Sequence, residues 1–277
     1  NGYAVDPEGE KIPLLSIRRM KSEAIKNLPF KKYRFYPLNM PEMQAQAYDM
    51  VFARLQNEAQ GRALKILHQL RSVSLYPGNL QQLNEQQDAL KSMMDRSARI
   101  KAAVDIMDQI KERREKVLLF LETHEMQHLL RGLLAKRYGL EDIPILNGQT
   151  TPKRRGQIVD EFKETLRDGN FAIRILSPKS AGVGITMIAA TNIIHLSRWW
   201  NPAIEEQCND RIYRIGQEQN CTIHIPLAVH PHHQNATFDC ILNDIMIRKR
   251  KLFQDVLMPS ENSEMDQGTL IAGMAES

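Results

Sequence analysis

Between Glu115 and Val229, short runs that are predominantly apolar on both faces alternate with segments of helical period, and few folds accommodate that pattern. The apolar runs cover residues 117–121, 143–146, 171–176, 193–196 and 222–229. The helical segments cover 125–138, 152–166, a short piece after Gly184, 203–214 and a last helix over 237–257. A strand apolar on both faces must be covered by helices on both, so the pattern predicts an open parallel α/β sheet. Upstream, Met43, Ala47, Met50, Val51 and Leu55, then Leu64, Leu67 and Leu70, recur at helical spacing with a break near Gly61. Pro77-Gly78-Asn79 marks a turn, and Ile100, Val104, Met107 and Ile110 return to helical period over 99–113. No strand is read ahead of Glu115, and residues 1–13 read as irregular.

With 277 residues, 42% of them hydrophobic, the chain can bury one large core and a helical annex. The net charge of +4 makes the overall field only mildly basic, so bulk charge permits a nucleic-acid partner without requiring one. The main local bias is Arg18, Arg19, Lys21, Lys26, Lys31, Lys32 and Arg34, opposed only by Glu23. Cys208, Cys221 and Cys240 are too few and too scattered for a disulfide framework or a four-thiolate metal site, which points to a reducing compartment. No apolar run is long enough to span a bilayer, and the first residues lack the regions of a signal peptide. The expectation is an intracellular protein, cytoplasmic or nucleoid-associated in a prokaryote and nuclear in a eukaryote, without a membrane partner. The opening at Asn1, with no element of its own, suggests part of a longer chain.

Ligands of open parallel sheets sit beyond the carboxyl ends of the strands. Glu122-Thr123-His124, Asn147 to Thr151, Ser177 to Gly184 and Ser197 to Pro202 fall there. Lys179-Ser180-Ala181-Gly182-Val183-Gly184-Ile185-Thr186 brings bare backbone amides to a loop where phosphate can approach. In the helix after Pro202, Gln207, Arg211 and Arg214 are spaced by four and three, so one face would present an amide and two guanidiniums. Arginine forks onto phosphate oxygens and stabilises the charge that develops in phosphoryl transfer, and Asp210 beside the pair could orient one of them. Lys153, Arg154 and Arg155 form a basic cluster suited to backbone contacts that give affinity without reading sequence.

Trp199-Trp200-Asn201-Pro202-Ala203, followed by Glu205, Gln207, Arg211 and Arg214-Ile215-Gly216-Gln217, resembles the signature of Swi/Snf-type superfamily-two motor ATPases. The likeness extends in order through Leu28-Pro29, Gln46 and Tyr48, Leu70-Arg71 before Pro77, Lys116 to Phe120, Asn147-Gly148-Gln149-Thr150 and the loop from Lys179 to Gly184. It implies a second RecA-like lobe: residues 1–40 a basic interlobe linker, 41–96 a helical protrusion, 97–257 the lobe with a final bracing helix, and 258–277 a disordered tail. By the same resemblance Arg211 and Arg214 would be arginine fingers with Gln207 nearby, and Gly182, Val183, Gly184 and Asp210 would line the nucleotide side. Thr150, Lys153, Arg154, Arg155, Ser180 and Trp200 would face duplex DNA. Both fingers are expected to be solvated and idle in this chain, Trp200 partly exposed and Trp199 a core aromatic.

The chain departs from the family at Ala181, Ile185, Thr186 and Cys208, each a mild change. It has no Gly-x-x-x-x-Gly-Lys-[Ser/Thr] loop, and Asp160-Glu161-Phe162-Lys163 reads as a solvated helix face rather than an acidic magnesium box. ATP and magnesium would therefore be bound mainly by a first lobe of the longer protein, which is the expected partner together with double-stranded DNA and accessory proteins of a larger complex. The chain alone is expected to hold neither and to hydrolyse no ATP. His230-Pro231-His232-His233 has no thiolate or carboxylate beside it in sequence, so no metal is expected. Arg248-Lys249-Arg250-Lys251 falls inside the last helix and reads as a bracing or DNA-contacting face. The compact stretch between Leu75 and Arg99 and the variant Leu196 to Trp200 resemble bacterial members. Two alternatives stand beside this reading: an RNA-acting or strand-separating superfamily-two lobe, distinguished by which nucleic acid stimulates the full-length protein, and a non-catalytic α/β DNA-binding module, distinguished by failure of a cognate first lobe to restore hydrolysis.

Overall fold

The computed structural model describes residues 3–5, 11–13, 29–57, 63–83, 88–165, 170–179, 184–233 and 236–255. Six strands form one sheet, β3 (Lys31–Asn39), β4 (Lys116–Phe120), β5 (Ile145–Leu146), β6 (Ala172–Leu176), β7 (Asn192–His195) and β8 (Cys221–Val229), in the order β3-β8-β7-β4-β6-β5. Every neighbouring pair is parallel. The helices are α1 (Glu42–Asn57), α2 (Ala63–Leu75), α3 (Ala89–Arg96), α4 (Ala98–Glu112), α5 (His124–Tyr138), α6 (Pro152–Glu164), α7 (Pro202–Asn209) and α8 (Phe238–Asp255). A separate antiparallel pair joins β1 (Tyr3–Val5) to β2 (Lys11–Pro13), across a stretch of turn composition, Asp6-Pro7-Glu8-Gly9-Glu10.

The apolar runs are explained by two cores on opposite faces of the sheet. Val117, Leu119 and Leu121 pack with Val104 and Met107 of α4 and Leu130 and Leu134 of α5. Leu118 and Phe120, which point the other way because strand side chains alternate, pack with Ile158 and Phe162 of α6 and with Cys208 of α7. Each such side chain contributes about 1.5–3 kcal/mol on burial, so the central strands fix the fold. A third core unites α1 and α2 (Tyr48, Phe52, Leu67, Leu70) with α8 (Phe238, Leu242, Met246).

Two expectations about elements need correction. No strand is expected before Glu115 and residues 1–13 read as irregular, yet β1 and β2 pair within those residues, and β3, inside the expected 1–40 linker, runs alongside β8 in register from Lys31↔Cys221 to Asn39↔Val229. As an edge strand with one half-exposed face it alternates instead of forming an apolar run, and its Pro37 suits an edge, where a missing N–H costs least. No helix forms after Gly184: residues 184–190 are irregular with one turn, because other parts of the chain take their backbone groups, as described below. Among the described residues no helix is long and apolar enough to cross a membrane.

Candidate nucleotide and nucleic-acid interface

Asn201 begins α7 by accepting the Ala203 N–H on its side chain at 2.8 Å, and Pro202 occupies the first helical turn. The helix ends at Asn209, shorter than the spacing predicted. Beyond it, Arg211 N–H bonds Cys208 O at 3.1 Å and Ile212 N–H bonds Asn209 O at 3.2 Å, which tightens the chain into successive turns. Arg211 and Arg214 therefore leave the face that Gln207 occupies. Gln207 and Arg214 are exposed, whereas Arg211 is only 7% exposed. Its Nε donates to Gln207 O and its guanidinium NH1 to Ile185 O, each at 3.0 Å, so the expectation of two solvated arginines holds for Arg214 alone. Burial lowers the Arg211 pKa, with the neighbouring Arg214 charge acting in the same direction.

Gln217 closes this turn. Its Nε2 is shared among Ile188 O (3.1 Å), Ala190 O (3.1 Å) and Ile212 O (3.2 Å), while Met187 N–H bonds Arg211 O at 2.8 Å. The segment after Gly184 thus has its polar groups satisfied by the arginine turn, and a helix there would have to break those bonds. Since Ala190 and Gln217 precede the first residues of β7 and β8, the turn belongs to the amino-terminal edge of those strands, opposite the edge where the sequence places phosphate loops. Gly216, at φ +96, makes the reversal, with Ile188 Cδ1 only 3.3 Å from where a Cβ would stand. Gly184 is exposed; Ser180, Gly182 and Val183 lie outside the described residues.

At the carboxyl end of β5, Thr151 caps α6 by accepting Arg154 N–H at 3.3 Å. Lys153 and Arg154 are exposed beside that helix N-terminus, a position that favours anions, although Arg154 also pairs with Glu161 at 3.0 Å. Arg155 is half-buried and donates to Thr150 O at 3.2 Å. The Thr150 hydroxyl accepts from Asn147 N–H at 3.0 Å and donates to Ile145 O at 3.2 Å, so it shapes its own loop. Asn147, buried, holds Gln127 Oε1 at 2.8 Å.

The Trp-Trp-Asn-Pro segment is set by charges whose pairing is not visible in the sequence. The Arg71 guanidinium lies 5.6 Å from the Trp199 ring and 5.7 Å from the Trp200 ring, donates to Arg198 O and pairs with Glu122, both at 2.6 Å. Both tryptophans are half-buried, so Trp199 is less enclosed than a core aromatic; Trp200 meets Phe238 edge-on at 5.5 Å. Arg198, 4% exposed, forks onto Glu205 at 3.1 and 3.2 Å and reaches Asn243 at 2.7 Å, and Arg250 joins Glu205 from α8. Burial alone would raise the Glu205 pKa, but Arg198 and its neighbours hold it at about 2. Arg99 of α4 bonds Leu196 O and pairs with Asp239 of α8 at 3.2 Å. The only signal for these pairs was an arginine or acid interrupting an apolar context, and the partners are too far apart in sequence to be matched. A cleft of about 560 Å³ opens here between α2 and the carboxyl end of β4, lined by His68, Arg71, Tyr76, Glu122 and Thr123.

Residues 98–216 match the helicase conserved C-terminal domain. YwqA of Bacillus subtilis (strain 168) is 28% identical over 259 residues, which are 90% of this chain and 26% of YwqA. An uncharacterized ATP-dependent helicase of Mycoplasma pneumoniae (strain ATCC 29342 / M129 / Subtype 1) is 28% identical over 219 residues, 76% of this chain and 20% of that protein. Among solved structures, the SWI2/SNF2 ATPase core of Sulfolobus solfataricus in complex with double-stranded DNA superposes with a TM-score of 0.65 at 26% identity, covering 89% of this chain and 50% of that one. The matched residues 98–216 run from α4 to the end of the arginine turn and include four of the six strands of the parallel sheet. The chain is similar in sequence and fold to the C-terminal RecA-like lobe of SWI2/SNF2 ATPases. It spans about a quarter or less of the length of these two curated relatives.

Proposed function

We propose that this chain is the catalytic-partner half of an ATP-driven translocase on double-stranded DNA, completing an active site whose phosphate loop lies on a first lobe. The observation that carries the proposal is the asymmetry within one turn: Arg211 is pinned to Gln207 O and Ile185 O while Arg214, three residues on, is exposed. A pinned guanidinium positions, and an exposed one beside it can reach a γ-phosphate across an interlobe cleft and stabilise the charge of phosphoryl transfer. Arg214 is the principal finger on this reading, Arg211 the second, with Gln207 and Asp210 at the same edge and Gly182, Val183 and Gly184 between nucleotide and DNA. ATP and magnesium are held mainly by the first lobe. Thr150, Lys153, Arg154, Arg155, Ser180 and Trp200 track the duplex backbone, which suits a motor indifferent to sequence. Residues 41–96 are the protrusion and 97–257 the lobe, to whose sheet β3 is added from the preceding segment; the protein works inside the cell, wherever its DNA is. In support, one relative is named an ATP-dependent helicase and one structural neighbour is described with duplex DNA.

The test is hydrolysis by the full-length protein and by this chain alone, with and without duplex DNA. Only the full-length protein should turn over. Arg214→Ala should lower its kcat by about 10³-fold without moving the melting temperature, since an arginine finger contributes on that order and the side chain is exposed. Arg211→Ala should lower both kcat and melting temperature, because Arg211 also ties the 185–187 segment. Stimulated turnover by the isolated chain, or an Arg214→Ala protein with full activity, removes the proposal. Stimulation by RNA or single strands in preference to duplex would favour a strand-separating lobe instead.

A further inference from the structure

Among the described residues, the two most exposed large hydrophobic ones are Phe30, 83% exposed, and Ile215, 72% exposed. A single apolar side chain in water needs no explanation, but these two share one edge of the sheet. Phe30 immediately precedes β3, and Ile215 lies in the turn that leads into β8, the strand paired with β3, so both stand at the amino-terminal edge with the arginine turn. Tyr213 links them. Its half-buried ring has the Lys31 ammonium 5.2 Å from its centre, and Glu206 holds that ammonium at 2.5 Å. Neither apolar residue is exposed because its backbone is loose. The Phe30 N–H donates to Asn220 Oδ1 and its carbonyl accepts the Cys221 N–H, each at 2.9 Å. Ile215 is bracketed by the bonds from Arg214 N–H to Ile212 O at 3.2 Å and from Gln217 N–H to Arg214 O at 3.0 Å, and by Gly216 at φ +96. The turn therefore holds a β-branched apolar side chain out into water, where polar residues or glycine are usual. The residue beside it is Arg214, also exposed.

We propose that Phe30, Tyr213 and Ile215 form an apolar seat for an apolar face of the first lobe of the same protein, which closes around Arg214 when ATP is bound. The inference rests on the reading of Arg214 as a finger and names what brings it to the phosphate. The strip is continuous with the edge through which Arg214 has to act. The solved ATPase core on which this chain superposes has as much chain again, since the match covers 50% of it, and an occupant from the same polypeptide needs no second molecule. Interfaces combine aromatic and aliphatic anchors with arginine, and the surrounding contacts exclude water from the central group. A guanidinium flanked by Tyr213 and Ile215 loses water when an apolar surface closes on it, and its charge then acts on phosphate with less screening. Burying one side chain of this size favours the closed state by about ten- to a hundredfold.

The test uses the full-length protein with one dye on each lobe, so that energy transfer reports closure with magnesium and a non-hydrolysable ATP analogue, without turnover. Ile215→Ser and Phe30→Ser should each raise the analogue concentration needed for half closure by about tenfold or more. Their melting temperatures should not move, because both residues are exposed. Ile215→Leu should close as the unmodified protein does. So should Met50→Ser, which removes an apolar residue 69% exposed on α1, away from this edge. The seat is overturned if Ile215→Ser and Phe30→Ser close at the unmodified analogue concentration, or if Met50→Ser impairs closure equally. Self-association of the full-length protein that Ile215→Ser abolishes, with intramolecular closure intact, assigns the strip to a second copy and also overturns it. Turnover separates the seat from the finger. Arg214→Ala without turnover, beside an Ile215→Ser protein that closes normally, keeps the finger and removes the seat, whereas full turnover in Arg214→Ala removes both.

Discussion

His224 sits in the middle of β8 with both ring nitrogens engaged, Nδ1 by the Tyr36 hydroxyl at 2.8 Å and Nε2 by Asn192 Oδ1 at 3.1 Å. Asn192 in turn donates to Glu115 at 2.8 Å, so the chain of bonds fixes the neutral Nε2–H tautomer. Burial first, then the charges of Arg34 and Arg113, push its pKa down to about 3. In the unfolded chain a histidine protonates near pH 6.5, so this residue's contribution is complete above that pH and is lost as pH falls toward 3. Between pH 6.5 and pH 4 the loss should be on the order of 3 kcal/mol, with His195, also buried and held neutral, adding to the same slope. Urea unfolding at successive pH values should show His224→Gln less stable at pH 7 but with a visibly shallower decline toward pH 4; parallel declines would exclude His224 as the cause. At this scale the sequence carried unequal information. Arg211 and Arg214 were readable because their residue type and spacing recur in a long motif, but that one would be pinned and the other exposed depends on where α7 stops. Glu205 was readable as a member of the same motif, but its pairing with Arg198 and that of Asp239 with Arg99 were not, since in sequence a buried charge looks like any surface charge.

Among the elements, the strands β4, β6, β7 and β8 were legible because each is buried on both faces and is therefore predominantly apolar on both. β3 was not, because an edge strand needs only one apolar face and its register comes from β8. The segment after Gly184 was misread for the opposite reason: its local pattern permits a helix, but Arg211 and Gln217 claim its backbone groups from outside. That gives Gln217 a measurable role. Removing its amide strips three carbonyls, those of Ile188, Ala190 and Ile212, of a shared donor. Gln217→Ala should cost about 1–3 kcal/mol of stability, and Gln217→Glu more, since a carboxylate would face three carbonyl oxygens. Hydrogen exchange should quicken at Met187 and Ala190 in both variants while the amides of β4 stay protected. Unchanged exchange at Met187 would mean that Arg211 alone holds the segment to the turn.

Over the whole molecule, the core that joins α1 and α2 to α8 is distinct from the two that sandwich the sheet; it meets the lobe through Ala98 and Ala228 and through a set of buried and partly buried charges. Arg71, Arg99 and Arg198 are matched by Glu122, Asp239 and Glu205, with Arg250 as a further cation on Glu205. Such pairs add little against apolar substitutes, but breaking one leaves an uncompensated charge in the interior. Arg99 and Asp239 are the clearest case, each 4% exposed at the side chain, with Asp239 also accepting Ala228 N–H at 2.8 Å. Arg99→Met should therefore cost about 3–5 kcal/mol. Adding Asp239→Asn removes the stranded charge while keeping an oxygen for Ala228 N–H, so the double variant should recover at least half of the loss. Because the same charges touch α2, α4, α8 and the segment after β7, the damage should appear as one lowered calorimetric transition. Two separated transitions in the unmodified chain, with α1 and α2 melting first, would mean that the protrusion is an independent unit. If the single transition holds, α1 and α2 move with the Trp199–Trp200 segment without an intervening hinge, which is the coupling that the proposed translocase requires.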